Sequence, residues 1–305
     1  MTTDPHTILG IDWGTSNRRA YLLNLQGQLL AEHEDSQGML AVGAPERFGA
    51  ALAALLDTMG VGPDVPVLMS GMVGSASGWQ EVPYLDCAVG LDQLPARAVP
   101  VADPAWAARC RIVPGYCFRN DAEVDVMRGE ETQLLGAVAL GHRDGWLVLP
   151  GTHCKWVLLR DGVIQRIATY MTGELFAMLS AGGTLAAIVK DGDSADAAGF
   201  TRGLTQAGQR EPLSNSLFRV RAGVVAKAAP AAQAAATVSG LLIGAEFDAA
   251  ARHLGQARGD AITVIGSPAL ATRYATAAAH FGLRCTVLDP HQVYCAALTQ
   301  FLEPA

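Results

Sequence analysis

The chain carries the same β-meander twice, about half its length apart, and each copy turns on a glycine-threonine loop. The first copy is "ILGIDWGTSNRRAYLLNLQGQLLAEHE": an apolar strand ending at Asp12, a loop through Gly14 and Thr15, a second strand, a turn at Gly27 and a third strand. The second is "WLVLPGTHCKWVLLRDGVIQRIATY", with its loop at Gly151 and Thr152 and its return turn at Asp161 and Gly162. Repetition of one supersecondary unit in each half predicts two related α/β domains of about 150 residues each.

A strand that stops at glycine lets backbone N–H groups approach an anion closely, and neighbouring hydroxyls add donors. One such loop is usually no more than a hairpin turn. A spaced pair in related halves favours a polyphosphate gripped from both sides. The sequence has no Walker A string and no G-x-G-x-x-G, so phosphate recognition has to use this other loop design.

Half of the residues are apolar and 17% are charged, which fits a globular enzyme and excludes a disordered chain. The net charge of -7 argues against nucleic acid as a partner, because a phosphate backbone selects for a basic face. The opening "MTTDPHT" is polar, with no basic and apolar pair of regions, so a cytoplasmic protein is expected. The longest apolar stretch, around Ala222 to Ala251, is interrupted by Lys227, Pro230, Gln233 and Glu246 and makes a poor membrane span. It reads instead as a packed helix in which Gly240 and Gly244 lie one turn apart. The six cysteines have no zinc or redox spacing. In extended chain His153 and Cys154 point to opposite faces and cannot pair as base and nucleophile. "GSASG" at Gly74 to Gly78 carries Ala76 where a hydrolase elbow needs serine.

Helical spacing predicts a helix near Pro45 to Met59, followed by a buried strand "VPVLMSG". This β-to-α-to-β return makes a parallel element, with "SGMVGSASGWQEVPYL" as the loop at its C-terminal end. "RIVPGYCFRNDAEVDVMRGEETQLLGAVAL" reads as strand, loop, then a helix starting near Asp125, with Asp125 as its N-cap and acids in its first turn. In "AITVIGSPALATRYATAAAHFGLRCTVLD" a strand ends at Gly266, Ser267 caps a helix, Pro268 opens it and Gly282 stops it. The N-terminus of that helix suits an anion or a nucleoside. "PHQVYCAALTQFL" closes the chain as an amphipathic helix.

This order of pieces resembles the sugar kinase, actin and Hsp70 superfamily. Its two phosphate loops, adenosine loop and two connecting helices map onto "IDWGTSN", "PGTHCKW", "VIGSPAL", "MRGEETQLLGA" and "VYCAALTQFL". The strings "DWGTSN", "SGMVGS", "GW" with "PYL", "VMRGEETQLLGA", "PGTHCKWV", "MTGEL" and "SGLLIGAE" resemble the 2-dehydro-3-deoxygalactonokinase family from about residue 8 onward. The fold implied is α/β, two RNase-H-like domains of the actin-like ATPase and sugar kinase type around an interdomain cleft. Their expected bounds are 1–135 on the sugar-acid side and 136–305 on the nucleotide side, with the last helix packing back toward the first domain.

The resemblance implies an ATP- and Mg²⁺-dependent kinase that phosphorylates the 6-hydroxyl of 2-dehydro-3-deoxy-D-galactonate in galactonate breakdown. Asp12 would hold Mg²⁺. Gly14, Thr15 and Ser16 would take the terminal phosphates, with Gly151, Thr152 and Lys155 on the facing side and Gly266 and Ser267 at the nucleoside. The superfamily's catalytic aspartate at the start of the first connecting helix falls on Asp125, with Asp121 and Glu130 as rivals. Arg128 or Lys155 would meet the substrate carboxylate, although an ion pair of Arg128 with Asp125 or Glu131 explains that arginine equally well. Gly71, Met72, Tyr84 and Glu174 are further sugar contacts. ATP and a sugar acid are the expected partners, without nucleic acid or membrane, and a homodimer stays open. The alternatives are a kinase for another sugar acid or hexose, a polyphosphate or nucleotide phosphohydrolase, and an ATP-driven conformational module.

Overall fold

A computed structural model of the chain describes residues 7–190, 192–255 and 259–302; the polar opening segment lies outside them. The strands are β1 (Thr7–Trp13), β2 (Arg18–Asn24), β3 (Leu29–Asp35), β4 (Val67–Gly71), β5 (Leu85–Asp86), β6 (Val99–Pro100) and β7 (Cys110–Ile112). They continue as β8 (Tyr116–Arg119), β9 (Val124–Met127), β10 (Gly145–Leu149), β11 (Cys154–Arg160), β12 (Val163–Tyr170), β13 (Ala261–Ile265) and β14 (Arg284–Leu288). The helices are α1 (Met39–Val42), α2 (Phe48–Met59), α3 (Glu130–Ala139), α4 (Thr172–Ala181) and α5 (Gly183–Val189). After them come α6 (Ala197–Gly208), α7 (Leu213–Val225), α8 (Ala234–His253), α9 (Pro268–Phe281) and α10 (Pro290–Thr299).

The two meanders seed two sheets of the same order. One runs β3-β2-β1-β4-β7-β6 and the other β12-β11-β10-β13-β14. In each, the three-strand meander is joined on the far side of its first strand by two parallel strands, β4 and β7 in one sheet and β13 and β14 in the other, the order of an RNase-H-like domain, and the first sheet adds the short antiparallel β6 at its edge. The turns work as their residues predict, with Gly27 at φ 76° and the pair Asp161 and Gly162 at 48° and 73°, the left-handed values that a tight hairpin requires. β1 is buried along its length, and β4 joins it in parallel, setting Asp12 beside Ser70 and Trp13 beside Gly71. β3 has no fully buried residue and carries Glu32, Glu34 and Asp35, the charged character that protects an edge strand.

The chain divides into two compact units, one of Met1–Gly145, Val157–Ile167 and Asp289–Ala305 and the other of Trp146–Trp156 and Ala168–Leu288. In the first unit, α2 lays Phe48, Leu52, Leu55 and Leu56 on the sheet. Buried Arg18 is satisfied by Asp35 at 2.6 Å, the Ala51 carbonyl at 2.9 Å and the face of Trp13. The last helix belongs to this unit. α10 lies on α3 so closely that a β-carbon at Gly136 would strike the Val293 carbonyl. A third, small sheet of order β5-β8-β9 also falls here.

In the second unit, α6 and α8 pack through glycine. Side chains at Gly203, Gly240 or Gly244 would collide with the facing helix, the close approach that small residues one turn apart allow. Helix Ala231–His253 is long and apolar enough to cross a membrane, but 83% of its most apolar window is buried, as a core helix would be. α9 begins with Pro268 behind Ser267 and stops at Gly282 with φ 76°. Ser267 occupies the cap position as predicted, while its hydroxyl makes no capping bond.

Candidate active site

Asp12 sits one residue before the end of β1, and the four-residue turn Gly14–Asn17 follows, closed by Gly14 N–H to the Asn17 carbonyl at 2.9 Å. The turn is held from behind. Its Gly14, Thr15 and Ser16 carbonyls accept from the Met39, Leu40 and Gly38 amides at 2.9, 3.0 and 3.2 Å. Thr15 and Ser16 are exposed, so the loop's carbonyls are engaged with the protein while its hydroxyl side chains face outward. A side chain at Gly38 would run into the backbone of Thr15 and Ser16; the sequence alone does not announce this support, because the three amides that give it, of Gly38, Met39 and Leu40, meet the turn more than 20 residues along the chain. The Asp12 side chain is three-quarters buried, with Arg19 at 3.9 Å. Burial pushes its carboxyl above the ordinary aspartate value, and Arg19 opposes that shift.

β4 delivers Gly71 beside this loop with φ 89°; a β-carbon there would stand 2.7 Å from the Trp13 carbonyl. Met72 follows in a one-turn helix, half-buried. Ser70 is fully buried and its hydroxyl lies 3.0 Å from that of Tyr294 in α10.

The helix that completes this region begins five residues later than the sequence suggests. Asp125 is not an N-cap: it lies inside β9, opposite Phe118, and its carboxylate accepts from the Val126 amide at 2.7 Å. Strand pairing through the alternating Val124 and Val126 outweighs the capping preference of an aspartate. The cap is Gly129, at φ 111°. Asp121 is exposed in the turn before β9. Glu130 opens α3 and accepts from the Arg128 amide at 3.1 Å, while Glu131 is fully buried and accepts from the Gly129 amide at 2.7 Å. Burial and the neighbouring Glu130 raise the Glu131 carboxyl to about 8.

Arg128 makes neither of the ion pairs considered from sequence. Its guanidinium lies 4.3 Å over the Tyr84 ring and donates to the Val82 carbonyl at 2.7 Å. Two further donors, Nε and Nη1, are buried without a partner, an uncommon state for a guanidinium. Tyr84 itself is exposed.

The second loop, Gly151, Thr152 and His153, is exposed. It rests on the first turn of α4: the Glu174 amide donates to the Thr152 carbonyl at 2.9 Å, and His153 Nε2 lies 2.6 Å from the Glu174 carboxylate. Glu174 is thus a partner of the loop within the second unit. Lys155 is 6% exposed and donates to the Thr169 hydroxyl at 2.9 Å. Gly266 packs beside the second loop, where a β-carbon would stand 3.3 Å from Pro150. A cavity of about 60 Å³ opens between Gly151 and the first turns of α9, lined also by Phe176, Leu270 and Arg273. Of the residues predicted around the nucleotide, Gly151, Thr152, Lys155, Gly266 and Ser267 fall in the second unit, whereas Asp12 and the first loop fall in the first, with Gly71 and the start of α3.

A family model described as 2-keto-3-deoxy-galactonokinase matches residues 12–301. The chain is 36% identical over 293 residues to "Probable 2-dehydro-3-deoxygalactonokinase DgoK1" of Rhizobium meliloti (strain 1021), covering 95% of this chain and 94% of the relative. It is 36% identical over 292 residues to the 2-dehydro-3-deoxygalactonokinase of Escherichia coli (strain K12), covering 95% of each. A crystal structure of a candidate 2-dehydro-3-deoxygalactonokinase protein from Sinorhizobium meliloti superposes with a TM-score of 0.87 at 34% identity, over 96% of this chain and 97% of that one. Component A of the (R)-2-hydroxyglutaryl-CoA dehydratase of Acidaminococcus fermentans shares the fold alone, with a TM-score of 0.51 at 13% identity over 97% and 96% of the two chains. With the family model spanning nearly its whole length and two relatives above a third identical, the chain belongs to the 2-keto-3-deoxy-galactonokinase family.

Proposed function

We propose that this chain transfers the terminal phosphoryl group of ATP to the 6-hydroxyl of 2-dehydro-3-deoxy-D-galactonate, giving the 6-phosphate and ADP. The observation that carries this reading is Asp12 at the end of β1, directly before an outward-facing glycine-threonine loop, in a family named for this phosphorylation. Phosphoryl transfer asks for positioning and charge neutralisation more than for covalent chemistry. Thr15 and Ser16 bind phosphate oxygens, and Gly151 and Thr152 do the same from the second loop. Gly266 and Ser267 border the nucleoside.

The donor set fits a magnesium ion. Asp12 is a single hard oxygen donor, and no group of three or more His, Cys, Asp or Glu gathers among the described residues. That is the pattern of a cation held by one carboxylate, by water and by phosphate oxygens. Asp12 would hold it, and when bound it supplies neutralisation of the phosphate charge.

Glu130 is our choice of proton acceptor for the attacking hydroxyl. It opens α3 next to Gly129, whose backbone meets that of Gly71 beside Asp12's neighbour Trp13, whereas Asp125 is committed to the small sheet. Arg128 receives the substrate carboxylate with the two donors the protein leaves unanswered, and Met72 and Tyr84 line the same approach. ADP release with and without added sugar acids tests the reading. Release stimulated by 2-dehydro-3-deoxy-D-galactonate supports it, and release indifferent to any sugar acid would make the protein a phosphohydrolase.

A further inference from the structure

The second unit contains a buried carboxylate that the proposed chemistry does not use. Glu246, in the "SGLLIGAE" stretch of α8, is 2% exposed and collects donors from three other elements. Trp156 of β11 donates its indole N–H to Oε1 at 2.7 Å, Tyr274 of α9 donates its hydroxyl to Oε2 at 2.9 Å, and Thr172 of α4 donates to the same oxygen in a short bond. Three side-chain donors answer this buried carboxyl group, as a buried polar group requires, while burial pushes its titration above the ordinary glutamate value.

The bond to Thr172 reaches the second phosphate loop. Thr172 is the first residue of α4, and the next two residues are the loop's supports. Gly173 lies against the Gly151 carbonyl, where a side chain would collide, and the Glu174 amide donates to the Thr152 carbonyl at 2.9 Å. Helix α4 has no side-chain cap, so its first turn is located by this hydroxyl and by the loop it holds. We propose that Glu246 is a positioning residue for the Gly151–Thr152 loop, acting through Thr172 to fix the height and tilt at which the loop meets a polyphosphate. The inference rests on the kinase reading above, since it concerns that reading's second phosphate loop.

The test is steady-state kinetics with ATP and sugar acid varied separately. Thr172→Val keeps the shape of the side chain and removes only the donor, and Gly173→Ala pushes on the loop from the same turn without touching Glu246. Both variants are expected to raise the KM for ATP about 10-fold or more while the KM for the sugar acid changes by less than about two-fold. Thr172→Ser, which restores the hydroxyl, should return the KM for ATP to near the wild-type value. A merely structural carboxylate would lower the melting temperature and leave the two KM values unsplit. Folded Thr172→Val protein with an unchanged KM for ATP overturns the proposal; if Thr172→Val does not fold, Glu246→Gln, which keeps the side chain's shape and removes one acceptor oxygen, decides in its place, and an unchanged KM for ATP there overturns it equally. Failure of wild-type protein to form ADP with any sugar acid would instead strike the kinase reading.

Discussion

Gly129 and Gly71 meet backbone to backbone: a β-carbon on Gly129 would stand 3.2 Å from the Cα of Gly71. Both adopt positive φ, 111° and 89°, so neither position accepts a side chain without strain or displacement. The contact sets the start of α3 against the end of β4, and hence Glu130 beside the strand pair that carries Asp12. Gly129→Ala is therefore expected to lower kcat/KM by at least about 10²-fold while costing about 1–3 kcal/mol of stability. Denaturant melts together with initial rates check this; a folded variant with wild-type kcat/KM would show that the contact does not set the site.

The position of the proton acceptor separates two carboxylates five residues apart. Glu130→Gln should reduce kcat by about 10²-fold or more with nucleotide affinity retained, as loss of a general base does. Asp125→Asn, in the small sheet, should leave kcat within about three-fold of wild type. The reverse pattern in parallel kcat measurements would return the role to Asp125.

Arg128 is assigned to the substrate carboxylate. Arg128→Met should cost about 1.5–3 kcal/mol in kcat/KM, roughly 10- to 150-fold. The loss should largely vanish for an analogue in which a neutral group replaces the carboxylate. Equal losses with acid and neutral substrates would mean that the arginine only props Tyr84 and Val82.

Glu131 gives the fold a pH signature. Its carboxyl is raised from 4.5 to about 8 by burial, so the native state holds a proton that the unfolded chain has already released between those values. Its contribution is fully present below pH 4.5 and is lost as pH rises through about 8. Glu131→Gln, which stays neutral, should melt with a flatter pH dependence across that window than wild type. Thermal melts from pH 5 to 8 that fall in parallel for the two proteins would place the titration elsewhere.

Much of this architecture is legible in the sequence because it is local. Gly27, Asp161 and Gly162 announce the hairpins, apolar runs mark the central strands, and Pro268 and Gly282 bracket α9. The start of α3 is misread for an equally local reason: an aspartate before acidic residues looks like a cap, and only pairing with Tyr116–Arg119 shows that Asp125 is in a strand. Buried carboxylates are invisible for a different reason. Glu246 is answered by Thr172, Trp156 and Tyr274, which lie 74, 90 and 28 residues away, and no periodicity records such a meeting. Arg128 likewise declares its two unanswered donors only once Tyr84 and Val82 surround it.

The most direct measurement is ADP formation with saturating ATP, Mg²⁺ and 2-dehydro-3-deoxy-D-galactonate, by wild type and by Asp12→Asn side by side. The account predicts sugar-acid-dependent ADP and a 6-phosphorylated product from wild type, with turnover by folded Asp12→Asn reduced on the order of 10²-fold or more. ADP formation that ignores the sugar acid, or a folded Asp12→Asn protein turning over at the wild-type rate, would contradict it.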